Sequence, residues 1–200
     1  MRTQIFAAAL IATSALAAPA FAQDADSGFT GPRAEAIVGW DRVEDGALNG
    51  GRRDGVVYGG QIGYDVQAGS AVIGVEGEIT GATTKDTSNG VLVAGDSLRT
   101  KAGRDLYAGA RVGFTVGSKA LIYAKGGYTN ARFDTDYVSG ATNINTHDNV
   151  DGWRLGAGGE VKLTDKVYAK AEYRYSKYDD DSSGINAKRH QIVGGVGIRF

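Results

Sequence analysis

The sequence predicts an all-β fold, an eight-stranded antiparallel up-and-down transmembrane β-barrel, and three observations carry that prediction. Eight segments alternate apolar and polar residues with a period of two, the side-chain period of a strand. Short and long connections alternate strictly between them, and no connecting segment has a helical period. The polar positions carry charges of both signs while the apolar positions are aliphatic, small or aromatic, an arrangement that puts lipid outside and charge inside.

Composition sets the outer bounds. Two hundred residues amount to one domain, and 31 glycines with 2 prolines and no cysteine describe a β-rich chain without disulfide or thiolate-metal chemistry. A formal net charge of -1 and the lack of a basic run give no electrostatic footprint for nucleic acid. The start differs from the rest. Arg2 is followed by an apolar run over residues 5–18 and by Ala20-Phe21-Ala22, a small-x-small cleavage site, so residues 1–22 read as a secretory signal peptide. That run is shorter than the ~20 residues a spanning helix needs. The β-barrel domain then occupies residues 23–200, opening on a polar, loose stretch over 23–31.

The strands follow in order. Residues 33–43 set Ala34, Ala36, Val38 and Trp40 against Arg33, Glu35, Gly39 and Asp41. After the turn-rich stretch 44–54, residues 56–66 set Val56, Tyr58, Ile62, Tyr64 and Val66 against Gln61 and Asp65. A short turn at 67–70 leads to 71–81, with Ile73, Val75 and Ile79 opposite Glu76, Glu78 and Thr80. A polar loop over 82–103 precedes the clearest alternation, 104–116, where Leu106, Ala108, Ala110, Val112, Phe114 and Val116 oppose Asp105, Tyr107, Arg111 and Thr115.

Beyond the tight turn 117–119, residues 120–131 place Ile122, Ala124 and Tyr128 against Tyr123, Lys125 and Thr129, and 132–149 is again loop by composition. Residues 150–163 set Trp153, Leu155, Ala157, Val161 and Leu163 against Arg154, Glu160 and Lys162. The turn 164–166 leads to 167–178, with Val167, Ala169, Ala171, Tyr173 and Tyr175 against Lys170, Glu172 and Arg174. A last loop, 179–188, precedes 189–200, where Ile192, Val196, Ile198 and Phe200 oppose Gln191, Gly195, Gly197 and Arg199. Hairpin connections throughout mean antiparallel neighbours, because parallel crossovers need a dozen or more residues each.

Eight such strands close into a barrel that pairs the last strand with the first. A soluble barrel would line its interior with the apolar positions; a membrane barrel exchanges the faces. The apolar positions are mostly small or aliphatic with aromatics toward the strand ends, which is the lipid-facing pattern. The interior charge network then comprises Arg33, Glu35, Asp65, Glu76, Glu78, Arg111, Lys125, Arg154, Glu160, Lys170, Glu172, Arg174 and Arg199, with Asp41, Asp105 and Lys162 of the same parity. Trp40, Tyr58, Tyr128, Trp153, Tyr173 and Tyr175 fall toward the long-loop rim, and Tyr64, Phe114 and Phe200 toward the short-turn rim, as two interfacial girdles. An eight-stranded interior is about wide enough for side chains to fill, so the charges pair and plug it.

The leader, the alternating strands, Tyr123-Ala-Lys-Gly-Gly-Tyr128 and the terminal Val196-Gly-Ile-Arg-Phe200 together resemble the opacity-protein and OmpA-type small outer-membrane β-barrels of Gram-negative bacteria. The resemblance implies an outer-membrane protein with periplasmic termini, four surface loops and no particular reaction. It implies as partners the outer-membrane lipids and lipopolysaccharide, the assembly machinery, which reads a terminal strand ending in a residue like Phe200, and a host or surface ligand at the loops. Since the sequence stops at Phe200, the peptidoglycan-binding domain that follows the barrel in full-length OmpA is not expected.

Candidate catalytic groups are sparse. His147 lies in a loop and His190 on the lipid-facing parity at the outer end of the last strand; with Asp181, Ser182 and Ser183 nearby a Ser/His/acid set can be drawn, but nothing in the spacing fixes its geometry. The acidic run at Asp179, Asp180 and Asp181 suits a hard cation or a solvated loop equally. The pairs Gly59-Gly60, Gly126-Gly127 and Gly194-Gly195 precede no helix, so they read as close packing around bulky inward side chains rather than phosphate loops. No catalytic, cofactor or metal residue is assigned. The function read from this pattern is structural and surface-interacting, with a narrow porin or a lipid A-modifying enzyme as alternatives.

Overall fold

The computed structural model describes residues 28–45, 52–83, 85–89, 97–139, 142–180 and 185–200. The predicted leader lies outside these residues. Nine strands are present: β1 (Gly31–Asp45), β2 (Arg52–Ala68), β3 (Ala71–Ala82), β4 (Lys85–Asn89), β5 (Ser97–Val116), β6 (Ala120–Ser139), β7 (Thr142–Lys162), β8 (Val167–Asp180) and β9 (Ile185–Arg199). Eight of them close an antiparallel barrel in which each pairs with its sequence neighbour, β3 pairs with β5, and β9 returns to β1. The seam runs from Arg33↔Arg199 through Trp40↔Ile192 to Asp45↔Ala187.

The faces follow parity. Ile62 is 68% exposed and Ile73 62%, whereas Arg154 and Arg174 are fully buried. Water does not favour such a distribution, because a continuous apolar exterior of this size far exceeds what a soluble monomer shows. Backbone pairing in a closed barrel leaves no edge, which is what a hydrocarbon surrounding requires.

Two sequence expectations need correction. The connections 44–54, 82–103, 132–149 and 179–188 were expected as loops, yet strands run deep into all four, with β6 and β7 paired from Arg132↔Asn149 to Ser139↔Thr142. The fourth strand, β4, is additional and pairs with β5 from Lys85↔Lys101 to Asn89↔Ser97. Both arise because a ladder is held by backbone hydrogen bonds, so polar residues stay paired without any apolar alternation. The other correction concerns the stretch read as loose over 23–31. Phe29 is 1% exposed and packs with Val72, Leu121 and Tyr123 inside the short-turn end. Its amide donates to Gln67 Oε1 at 3.0 Å and its carbonyl accepts from Arg199 Nη1 at 2.6 Å.

Where β5 and β6 pair, two facing glycines leave no room for a side chain. Gly109 and Gly127 are register partners. A Cβ on Gly109 would stand 2.1 Å from Tyr107 Oη, and one on Gly127 2.3 Å from the Ala108 carbonyl oxygen. The glycine-pair expectation named inward side chains; the neighbouring backbone is the other obstacle. At two of the short turns Gly69 and Gly117 take φ of 62° and 65°, the left-handed region that glycine tolerates.

Candidate functional site in the lumen and at its outer rim

Strand pleat sends every second residue of eight strands toward one axis, so the lumen collects the charged parity into a column about one side chain wide. Among the described residues, eight acids (Glu35, Asp41, Asp65, Glu76, Glu78, Asp105, Glu160 and Glu172) and eight bases (Arg33, Arg111, Lys125, Arg154, Lys170, Arg174, Arg189 and Arg199) are buried there. The numbers balance. Lys162, of the same parity, stands instead at the short-turn rim, half-buried with its ammonium 4.8 Å from the Phe29 ring centroid. Arg189 takes the interior place that parity would have given it two residues before Gln191.

Toward the short turns, Asp65 gathers three guanidinium groups: Arg33 Nε at 3.1 Å, Arg111 Nη2 at 2.5 Å and Arg199 Nη1 at 2.7 Å. Arg33 and Arg199 are directly opposed across the seam, and the shared carboxylate between them offsets a like-charge contact that would otherwise destabilise the pair. Glu160 joins Arg111 at 3.2 Å and Arg199 at 2.8 Å. In the middle layer Glu76 bonds Arg33, Lys125 at 2.7 Å and Gln61 Nε2 at 2.7 Å. Glu35 bonds Arg33 and Lys170, the latter at 2.6 Å. Glu172 bonds Arg174, Lys125 at 3.0 Å and the Tyr123 hydroxyl at 2.6 Å.

Toward the long hairpins, Arg154 reaches Glu78 at 3.0 Å, Asp105 at 2.5 Å and Ser176 Oγ at 2.8 Å. Arg189 bridges Asp41 at 2.6 Å and Asp105 at 2.8 Å, and Gln191 donates to Asp41 at 3.2 Å. Aromatic rings fill the space between the charges: Lys125 lies 4.7 Å over Tyr107 and Arg111 5.0 Å over Tyr123. A buried, mostly apolar cluster lies toward each end of the column, Phe29 with Val72, Leu121 and Tyr123 at the short turns, Ala131 with Val150, Tyr178 and Ala187 toward the long hairpins.

Sequence reasoning missed several contributors, among them the Ser176 and Tyr178 hydroxyls beside Arg154 and Asp105. Phe29 was a single aromatic in a polar stretch and carried no periodic signal. Gln61 and Gln191 were on the polar parity but uncharged, and Arg189 sat at the assigned edge of its strand.

On the outer surface, Trp40, Tyr58, Tyr128, Trp153 and Tyr173 are exposed toward the long hairpins, Tyr175 is half-buried beside them, and Tyr64, Phe114 and Phe200 are exposed toward the short turns. His190 is half-buried, its Nδ1 2.7 Å from the Tyr173 hydroxyl. Asp181, Ser182 and Ser183 lie outside the described residues, as do the side chains of His147, Asp179 and Asp180.

Comparison with known proteins agrees with this geometry. The chain is 26% identical over 170 residues to the 25 kDa outer-membrane immunogenic protein of Brucella canis, covering 81% of this chain and 74% of that one. It is 28% identical over 152 residues to the 22 kDa outer membrane protein of Rhizobium leguminosarum bv. viciae, covering 72% of this chain and 66% of that one. Among solved structures, Neisserial surface protein A superposes with a TM-score of 0.57 at 16% identity, covering 87% of this chain and 98% of that one. Ail of Yersinia pestis, solved with the heparin analogue sucrose octasulfate, superposes at 0.52 and 14% identity, covering 85% of this chain and 99% of that one. At such identities these two show the fold alone. The profile of the outer membrane protein beta-barrel domain matches residues 8–200, and the chain belongs to that family of outer-membrane proteins.

Proposed function

We propose that this outer-membrane barrel is a non-conducting, non-enzymatic scaffold that presents its long hairpins outside the cell as a contact surface, with both termini in the periplasm. The observation that carries the reading is the burial of the ion-paired side chains in the lumen. A water-filled channel leaves its wall side chains accessible, whereas Arg154 and Arg174 are 0% exposed and Arg33 2%. Buried, mostly apolar clusters toward both ends of the column support it further. On this reading residues 1–22 direct export, the two groups of outward aromatics anchor the barrel at the bilayer interfaces, and Phe200 serves the assembly machinery.

A surface role gains support from the Brucella relatives, whose name records that they are immunogenic, and from Ail, which was solved with a heparin analogue. Hairpins held on a rigid barrel are where binding concentrates in such proteins. Planar-bilayer recording of the refolded full chain tests the sealed lumen: the expected trace is flat, and uniform conductance steps that vanish on heat denaturation would instead make the protein a narrow porin.

A further inference from the structure

The buried acids and bases of the lumen are matched in number, and one inward cation stands outside that match. Lys162, two residues beyond Glu160 on the inward parity of β7, forms no ion pair or hydrogen bond through its ammonium among the described residues. That ammonium lies 4.8 Å from the Phe29 ring centroid, and the Arg199 guanidinium stands 5.7 Å from the same centroid. Arg199 has Asp65 and Glu160 as counter-ions. Lys162 has the aromatic ring without a carboxylate.

Space opens beside it. Two clefts at the short-turn end share Lys162 and Ser118; one, of about 250 Å³, runs past Gln67 and Thr115, and the other, of about 410 Å³, past Lys119, Thr164 and Asp165. The Lys162 amide donates to the Lys119 carbonyl at 2.8 Å, which brings both lysines to one end of the β6–β7 ladder. Asp165 makes no ion pair with either of them among the described residues. Gln67 is committed, since its Oε1 accepts from the Phe29 amide and its Nε2 donates to the Gly69 carbonyl at 2.8 Å. The hydroxyls are freer: Ser118 is exposed, and the Thr115 bond to the Ser70 carbonyl is long at 3.4 Å.

We propose that these joined clefts are a binding site for a phosphate monoester, held between the ammonium groups of Lys162 and Lys119, with the Ser118 and Thr115 hydroxyls donating to its oxygens. Charge selects the class. A phosphate monoester carries about −1.5 to −2 charges at neutral pH and three acceptor oxygens, so it compensates two lysines at once. A carboxylate, or the diester of a phospholipid, carries one charge and leaves the second ammonium without a counter-ion. Placement agrees, because Lys162 is on the inward parity at the mouth and is reached from water rather than from the hydrocarbon belt.

The site stands on the fold alone; a periplasmic origin for its ligand rests on the orientation proposed above. Isothermal titration calorimetry of the refolded chain in detergent tests the site, with glycerol 3-phosphate, dimethyl phosphate and acetate as probes. One saturable site for glycerol 3-phosphate is expected, bound about tenfold or more tightly than either singly charged probe. K162M, and K119M at its exposed turn position, should each weaken that binding about tenfold, the loss of one charge-assisted hydrogen bond, while K162R retains it and the heat-modifiable gel shift shows a closed barrel. Equal affinity for the three probes, or unchanged binding by K119M and K162M, would overturn the site. Tighter binding by D24N/D26N would overturn it too, by making the chain's own carboxylates ahead of Gly28 its occupants. Labelling of S118C with an impermeant reagent reads the orientation separately: labelling only after the outer membrane is permeabilised supports a periplasmic ligand, and labelling of intact cells removes that origin and leaves the site.

Discussion

Truncating Arg154 to alanine tests the ion-paired lumen most directly. The side chain is fully buried and donates to Glu78, Asp105, Ser176 and Thr129. Removing it leaves seven buried bases against eight acids. Removing one partner from a buried pair typically costs about 3–5 kcal/mol, because a charge is stranded without its counter-ion. Glu78 keeps Arg174 at 2.7 Å, and Asp105 keeps Arg189 at 2.8 Å and the Tyr178 hydroxyl at 2.8 Å, so the lower end of that range, about 3 kcal/mol, is expected. With a urea slope of about 2 kcal/mol/M the unfolding midpoint of barrels refolded in vesicles moves down by about 1.5 M. R154A/D105A, which restores equal numbers of acids and bases, should be less destabilised than the two single variants summed, by about 0.5–3 kcal/mol of coupling. A midpoint for R154A within a few tenths of a molar of wild type, together with strict additivity in the double variant, would refute the reasoning and with it the inward assignment of the charges.

Two further substitutions probe the ends of the column. F29A removes the ring from the layer with Val72, Leu121 and Tyr123 and should cost about 3–5 kcal/mol in the same urea titration, with F29L retaining most of the stability; an F29A midpoint equal to wild type would mean that the segment before β1 does not seal the mouth. Deleting Phe200 removes an outward ring and an amide that donates to the Pro32 carbonyl at 3.0 Å, and should lower the outer-membrane fraction of the protein while export across the inner membrane continues; unchanged membrane levels would discard its role in assembly.

What the sequence makes legible depends on where solvent contrast exists. Between Arg104 and Val116, or Val150 and Lys162, lipid lies on one side and charge on the other, so parity alone assigned the faces of Leu106, Arg111, Trp153 and Arg154. Toward the tip of the β6–β7 hairpin the sequence carries no such contrast. Thr135 and Thr146, or Asp136 and Asn145, are register partners in a ladder that no local period announces, because the partner strand rather than the residue's own surroundings makes them extended. The lumen's membership was readable, but its wiring was not. Nothing in one strand says that Asp65 of β2 will gather guanidinium groups from β1, β5 and β9, since those contacts depend on the tilt and stagger with which the barrel closes. Arg189 was within reach by extending the parity of Gln191 one further step, whereas Phe29, alone in its stretch, offered no pattern to extend.

The placement of the last strand's cations bears on how the barrel comes to be closed. Arg189 and Arg199 sit on β9, and their carboxylate partners Asp41, Asp105, Asp65 and Glu160 sit on β1, β5, β2 and β7. A sheet of seven strands, with the final hairpin not yet zipped to β1, holds those acids with two counter-ions still to arrive. Slipping the seam by one residue would not deliver them, because it would turn both guanidinium groups toward hydrocarbon and Ile192 and Ile198 toward the acids. Joining the ends of the sheet and neutralising its centre are thus one event, and a seam slipped by one residue would forfeit both.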